Sequence, residues 1–470
     1  MSRDNMISTM EDPDDLTISH VLRCVINYIM TILYLSLVQL LYPKPGFVEI
    51  DPDKLWTIIV NVIKNTLKEA KVDPESIVGI GISTQRGSFT TWNSKDGKHY
   101  HNFITWKDLR ADSIVKQWNS SLTIRGLRIG SYILHKILGE KRFLLMRKHV
   151  TDVSSAAATG LFDPFLMTWS DLMMRLLGIP CNMFPEVVDT SRNFGVIPKD
   201  IFGVEIPIFC SMADQSASLF GSGCMQPGDL KITLGTGTFM NVNSGRKLHA
   251  SVAGLYPVVG WQIGDELVYM IEGAWNDTGT IVEWAKNIGI IDNLAETAKI
   301  ANSVNDSDGV YFIPAFSGLH IPINDYTAAA GFIGIKPTTN KSHIIRSLLE
   351  SIVFGIMQLF YVLGEETNFT HQKIRIDGGV SANDFVLQLL ADLTGLDVER
   401  GTTTEMSILG VAFLAGLQCG VWKNREDVEK LRKTARIFHP NKENMIRYQP
   451  IIAQWKQALE RFGRWYSRDS

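Results

Sequence analysis

The chain has 470 residues, 45% of them hydrophobic, and a mean hydropathy of +0.04. That is a globular composition, which excludes a disordered polymer and leaves room for about two to four domains. Lys and Arg number 46 against 49 Asp and Glu, a net charge of −3, so no basic surface invites nucleic acid and any ligand is small and gripped locally.

The first twenty residues are polar and mixed and read as a tail. From Cys24 to Tyr42 the chain carries no charge, about the ~20 residues that cross a bilayer. The alternative is a buried helix or strand pair; the tail of the run, Val38–Tyr42, favours a strand and makes membrane association the weaker reading. Leu55, Ile58, Ile59, Val62, Ile63 and Leu67 recur at helical spacing, so 53–70 is an amphipathic helix, and Val78–Ser83 after it is a buried strand. Leu127, Ile129, Ile133 and Leu134 suggest a further helix, and Lys141, Arg142, Arg147, Lys148 and His149 form a basic run read as a solvated face. Cys24, Cys181, Cys210, Cys224 and Cys419 show no CxxC pairing, which argues against a disulfide framework or zinc site and for a reducing cytoplasm.

The second half is more sharply patterned. An apolar strand, Ile206–Cys210, meets a small-residue helix, Ser216–Gly221, across Ala213-Asp-Gln215. Lys231–Phe239 is a strand carrying a Gly-Thr-Gly turn. A strand at Leu267–Ile271, a helix at Thr278–Ile288, a strand at Val310–Pro314 and a long helix at His343–Leu363 follow, with Gly331–Asn340 a connector. Lys373–Gly379 is a strand ending in two glycines, and helices take Asn383–Gly395 and Ile408–Gly416. Helix and buried strand in alternation mean an α/β fold. One boundary is expected near 222–230, where Gly-Ser-Gly and Gln-Pro-Gly-Asp cluster.

Three constellations carry chemistry. Glycines in Leu234-Gly-Thr-Gly-Thr238 let backbone N–H groups approach anionic oxygens; most such turns are simply hairpins. Asp377-Gly-Gly-Val-Ser-Ala-Asn383 lies at a strand end opening a helix, where open α/β sheets bind ligands; its bland use is a turn capped by Asn383. Asp214, at a strand-to-helix junction, is either a general base or a helix cap.

In this order the three resemble the FGGY carbohydrate kinases, and within them the glycerol kinases. Tyr42-Pro-Lys-Pro-Gly-Phe-Val-Glu49, Ser83-Thr-Gln-Arg86, Val310–Leu319 and Ala330–Ile335 followed by His343-Ile and Ser347-Leu-Leu-Glu350 agree with it. Gln85-Arg-Gly-Ser, Leu109-Arg-Ala and Thr159-Gly-Leu-Phe-Asp-Pro164 point to a divergent branch. The resemblance covers roughly 38–135 and 149–466.

It implies two ribonuclease-H-like domains of actin and hexokinase type around a cleft, the first incomplete. The expected segments are a divergent 1–37, a polyol-side domain 38–222, a nucleotide-side domain 223–440 and a helical tail 441–470. It also implies an ATP- and Mg²⁺-dependent kinase of a small polyol, with glycerol to glycerol 3-phosphate as the parent reaction and a homo-oligomer as an open alternative to a monomer. Asp214 matches the catalytic base and Mg²⁺-side carboxylate. Arg86, Trp106, Asp214, Gln215 and Phe239 match polyol contacts. Gly235 and Thr236 match phosphate contacts, and Gly279, Glu283, Gly379, Val380 and Asn383 match nucleotide contacts.

The chain departs from the family three times. Gly87 replaces the usual Glu, so the substrate need not be glycerol. No Asp-x-Gly-Thr-Thr precedes Leu41; the apolar run occupies its place and displaces a phosphate-binding hairpin. At Lys148–His149 a first-domain segment with a polyol-contacting Tyr is missing. The alternatives are therefore a catalytically impaired nucleotide-binding interaction protein, or a kinase for another polyol or a ketose.

Overall fold

A computed structural model of the chain describes residues 20–25, 33–44, 46–93, 96–111 and 149–466. The expected tail, the helix around 127–134 and all of the basic run except His149 lie outside them. In chain order come β1 (His20–Val25), β2 (Leu33–Val38), β3 (Glu49–Ile50), α1 (Pro52–Ala70), β4 (Ile80–Thr84) and β5 (Phe103–Ile104). Then come β6 (Val150–Asp152), α2 (Val153–Ala157), β7 (Phe162–Asp163), β8 (Thr168–Trp169), α3 (Asp171–Leu177), β9 (Glu186–Val188), β10 (Ser191–Ile197), β11 (Ile206–Ala213) and α4 (Asp214–Gly221). β12 (Leu230–Leu234), β13 (Thr238–Gly245), β14 (Tyr256–Ile263), β15 (Glu266–Trp275), α5 (Gly279–Asn287), β16 (Tyr311–Ile313), β17 (Gly331–Ile333) and α6 (Lys341–Glu366) follow. The last are β18 (Lys373–Asp377), α7 (Asp384–Thr394), β19 (Asp397–Gly401), α8 (Met406–Gln418), β20 (Thr434–Phe438) and α9 (Lys442–Phe462).

The chain divides into two compact units. The first takes the described residues up to Ser76, those of 85–111, and Pro198–Val204; the second takes Ile77–Thr84, 149–197 and 205–466.

In the first unit, β1 pairs antiparallel with β2, His20 opposite Val38. The uncharged run is thus partly strand, and an antiparallel pair stands where a hairpin was expected to be displaced; what the stretch lacks is the Asp-x-Gly-Thr-Thr sequence. Val38, Leu40 and Ile50 form a small core with Val48, Leu55, Ile58 and Phe103 packed on it. α1 starts at Asp51, whose carboxylate accepts from the N–H groups of Asp53 and Lys54, and Pro52 adds the fixed φ suited to a first turn. It stops at Lys71, in the left-handed region at φ 53°. Asp108 and Glu49 share Arg110, and the guanidinium lies 4.1 Å from the Phe47 ring centre. The Arg110 guanidinium holds the Asp108 carboxyl down at about 2.

The second unit is built on a seven-stranded sheet, order β14-β15-β13-β12-β18-β19-β20, with β12, β18 and β19 parallel. Alternation gives it two faces. Leu230, Ile232, Leu234, Ile374, Ile376 and Val398 point into the main core under α6, α7 and α9. α6 is buried almost throughout its length, each large apolar side chain contributing roughly 1.5–3 kcal/mol. It is the one helix among the described residues long and apolar enough to cross a membrane, and it is a core helix. The opposite face of the sheet presents Lys231, Thr233, Arg375 and Asp377, with α4 tied to it by side-chain hydrogen bonds.

Small residues explain how α4 and α8 cross. A Cβ on Gly410 would lie 1.9 Å from the Ala217 carbonyl oxygen, and one on Gly221 2.1 Å from that of Met406. The backbones touch, so only hydrogen fits. A smaller sheet, β10-β11-β4, has β4 parallel to β11, and Gly81 lets β4 approach α8, its Cβ position 2.3 Å from the Val411 oxygen. The connector expected at Gly331–Asn340 begins as strand β17, paired with β16, because Phe332 joins the aromatic group of Phe312 and Trp284.

Candidate active site

The carboxyl ends of β12, β15 and β18 and the amino end of β13 meet at one edge of the large sheet. Leu234 of β12 pairs with Thr238 of β13, Thr238 with Trp275 of β15, and Thr233 with Asp377 of β18. Ligands of open α/β sheets gather at such an edge.

Two glycine turns interlock there. Gly279 N–H donates to Gly235 O at 3.0 Å, and the N–H groups of Thr278 and Thr280 both donate to Thr236 O at 3.2 Å. A Cβ on Gly279 would sit 2.6 Å from Gly235 O, and Gly237 meets the Trp275 and Asn276 oxygens at 3.0 Å. Thr238 and Thr278 hydroxyls share a buried 2.7 Å bond. The Gly-Thr-Gly turn is therefore no free hairpin but is clamped to the start of α5, with Thr236 left exposed. Asp277 braces the same loop, accepting from Thr280 Oγ1 at 3.2 Å and Ser317 N–H at 3.3 Å; burial pushes its carboxyl up to about 6.

Beside them, Gly378 takes φ 88° with its Cβ position 2.5 Å from Leu234 O, so the second glycine turn packs against the first strand end. Gly379 is exposed and Val380 half-buried against the main core. Asn383 caps α7, accepting from the N–H groups of Phe385 and Val386, while its Nδ2 donates to Thr297 Oγ1 at 2.9 Å. Glu283 is exposed on α5.

Asp214 is the first residue of α4 rather than its cap, which is Ala213. Its Oδ1 accepts the N–H of Gln215 at 2.7 Å, and the residue is partly exposed. Gln215 is buried, its Oε1 held by Lys231 Nζ at 2.8 Å. The junction is supported from below by Asp152. This fully buried carboxylate caps α2 and accepts from Ser154 Oγ, whose oxygen in turn accepts the Ala213 N–H at 2.9 Å. Phe239 stands on β13 opposite Thr233 and Ala274, partly exposed and so not a plain core aromatic.

Arg86 and Trp106 belong to the other unit. Trp106 is 43% exposed, again outside any core, and its N–H donates to Ser88 Oγ at 3.3 Å, which donates to Gln85 Oε1 at 2.7 Å. Gly87 adopts φ +71°, with its Cβ position 3.3 Å from Trp106 Cβ. The glycine is thus a backbone requirement of this turn, where a Glu would be strained.

Sequence reasoning missed Lys231, Asp152, Ser218 and Asp277. Lys231 alternates with apolar neighbours and so reads as solvent-facing, but Gln215 of α4 lies over it. Asp152, followed by two serines, carried an N-cap signal that went unused.

The pattern of the FGGY family of carbohydrate kinases, C-terminal domain, matches residues 230–419, and that of its N-terminal domain matches 36–129 and 126–221. The chain belongs to the FGGY family of carbohydrate kinases. It is 43% identical to "Glycerol kinase 5" of Bos taurus over 91% of this chain and 90% of the relative. That alignment runs over 478 residues against the chain's 470, so the relative has residues where this chain has none. The two N-terminal pieces meet at 126–129, not at Lys148–His149.

In fold, the chain is similar to Plasmodium falciparum glycerol kinase solved with ADP, at TM-score 0.78 and 24% identity over 92% of this chain and 94% of that one. It is likewise similar to a ligand-bound xylulose kinase of Lactobacillus acidophilus, at TM-score 0.76 and 20% identity over 92% and 93%. These establish the α/β fold of the FGGY kinases, whose phosphoryl donor is ATP.

Thr236 and Gly379 are the exposed residues of the two turns, positions at which a backbone suits phosphate oxygens. Among the described residues no three His, Cys, Asp or Glu side chains gather to hold a metal. Mg²⁺ needs no such cage: it takes one or two carboxylates beside phosphate oxygens, and Asp214 is a donor of that class.

Proposed function

We propose that the chain is an ATP-dependent kinase of a small polyol, converting glycerol to glycerol 3-phosphate in the cytoplasm. The observation that carries this reading is Asp214 with Gln215 at the first turn of α4, tied to strands whose ends form the clamped glycine turns. The name of the 43% identical bovine relative supplies the substrate class.

In this reading Asp214 accepts the proton of the polyol hydroxyl as that oxygen bonds the γ-phosphorus, the bond to the ADP oxygen breaks, and the proton passes to solvent. Gln215 and Phe239 orient the polyol, with Arg86 and Trp106 added by the family resemblance. Gly235 and Thr236 hold phosphate oxygens, and Gly279, Glu283, Gly379, Val380 and Asn383 border the nucleotide. Asp214 is the residue that would hold Mg²⁺, which would supply neutralisation of charge on the transferring group. Such transfer needs positioning and charge stabilisation more than covalent help.

A second reading, a nucleotide-binding protein impaired in catalysis, is favoured by the missing Asp-x-Gly-Thr-Thr and the first-domain match in two pieces. A third, another polyol or a ketose, rests on Gly87. Full-length chain with Mg-ATP and a panel of polyols and ketoses decides. Turnover of glycerol that falls about 10³-fold in Asp214→Asn supports the first reading. Mg-ADP binding without turnover supports the second, and preference for a pentulose the third.

A further inference from the structure

Among the buried charges of the described residues, Lys231 lies beside the site and has no role assigned so far. Lys231, on β12 four residues before Gly235, is wholly inaccessible to solvent. Taking an ammonium out of water is costly unless it is paired and hydrogen-bonded. Its Nζ donates to Gln215 Oε1 at 2.8 Å and to Thr233 Oγ1 at 2.6 Å. Burial pushes the ammonium's pKa down, and the carboxylates of Asp377, Glu272 and Asp214 act against that.

A second tie runs parallel to the first: Ser218 Oγ donates to Asp377 Oδ2 at 2.5 Å. Gln215 and Ser218 share α4 with Asp214. Their partners lie on β12 and β18, the strands that run into the Gly-Thr-Gly and Gly-Gly turns. A leucine or methionine at 231 would fill the same space under α4. Neither could make the link between helix and strand, nor answer the nearby carboxylates, both of which need the nitrogen.

We propose that Lys231 is a positioning residue of the phosphoryl-transfer site, the buried pin that fixes Gln215, and with it the helix turn bearing Asp214, to the strand ending in the Gly-Thr-Gly turn. The catalytic part rests on the kinase reading of Asp214; the pin itself does not. Misplacing a reacting group by about 1 Å costs roughly 100-fold in rate, so the consequence falls on turnover and not on nucleotide affinity.

Two measurements test it. Melting temperatures of wild type, Lys231→Met, Gln215→Met and the double variant form a cycle that needs no activity. The pin predicts that the double variant melts about as low as the worse single one; additive losses overturn it. Kinetics follow on Lys231→Met, with Thr233→Val, which removes the other partner, as the substitute if Lys231→Met does not fold. The expected result is a fall in kcat of roughly 100-fold for Lys231→Met, or about 10-fold for Thr233→Val, with the Kd for Mg-ADP within about 3-fold of wild type. Unchanged kcat, or kcat and Mg-ADP affinity lost in proportion, overturns the positioning role. Should wild type phosphorylate nothing on the panel, the kinase reading falls by itself, and the melting cycle still decides the pin.

Discussion

The two units hold their carboxylates in the same way but are built very differently. In the second, a seven-stranded sheet carries one apolar face under three helices and one polar face tied to α4. In the first, the described strands form only two-residue or hairpin-like pairs over a core of three buried side chains. Stability grows with the apolar area a core can close, so the second unit folds on packing while the first leans on α1, its caps and the Arg110 cluster. Two of the three departures from the family pattern, Gly87 and the missing Asp-x-Gly-Thr-Thr, fall in the first unit's share of the chain, whereas the glycine turns of the second are interlocked through close backbone contacts.

That contrast can be broken. The largest effect is expected at α4: Asp214→Asn should cost about 10³-fold in kcat while the melting temperature holds. Loss of stability instead would make Asp214 a structural carboxylate. Next, Gly410→Ala forces a Cβ into the Ala217 oxygen and should destabilise the second unit by about 3 kcal/mol, lowering its Tm by roughly 6–12 °C; an unchanged Tm would show that α4 and α8 can part without cost.

Acid sharpens the comparison. Burial pushes the Glu399 carboxyl up, but hydrogen bonds from Lys373, Thr434 and Arg432 outweigh it and hold it at about 2. Its folded pKa lies below the ordinary 4.5, so its stabilisation is full above that value and is lost as pH falls from there towards about 2. Asp108 follows the same sign from 3.8 to about 2, and Glu49, which shares Arg110 with it, is likewise held below 4.5, so both units should begin to weaken as pH falls through the same range. Glu399→Gln should flatten the second unit's acid melt alone, and a parallel change in both units would deny their independence. The smallest effect is expected for Arg110→Met. It should speed hydrogen exchange in 38–50 by about 10-fold, the loss of roughly 1–2 kcal/mol of local pairing, and leave the second unit's exchange untouched.

Much of this was legible in the chain. Helical spacing placed α1 and α6 because a one-sided apolar stripe has few other uses. Strand ends before Gly-Thr-Gly and Gly-Gly marked the site because few other residues permit such backbone approach. Lys231 was illegible because alternation along a strand says which residues share a face, not whether a helix covers it. Gly87 read as a lost carboxylate, and its positive φ adds that a Glu in this turn would be strained. Asn383 takes the bland use, as a cap whose amide also reaches Thr297.

The sequence by itself determined the α/β alternation, the order of the three constellations and the family they resemble, since these depend on local periodicity and on short-range backbone chemistry. Tertiary structure alone decided that Gly235 and Gly279 clamp one another, that Asp152 supports the Asp214 junction through Ser154, and that Lys231 lies buried between helix and strand. Each of those facts joins residues far apart in the chain, and a buried charge or a Cβ-sized gap exists only once the second element has packed against the first.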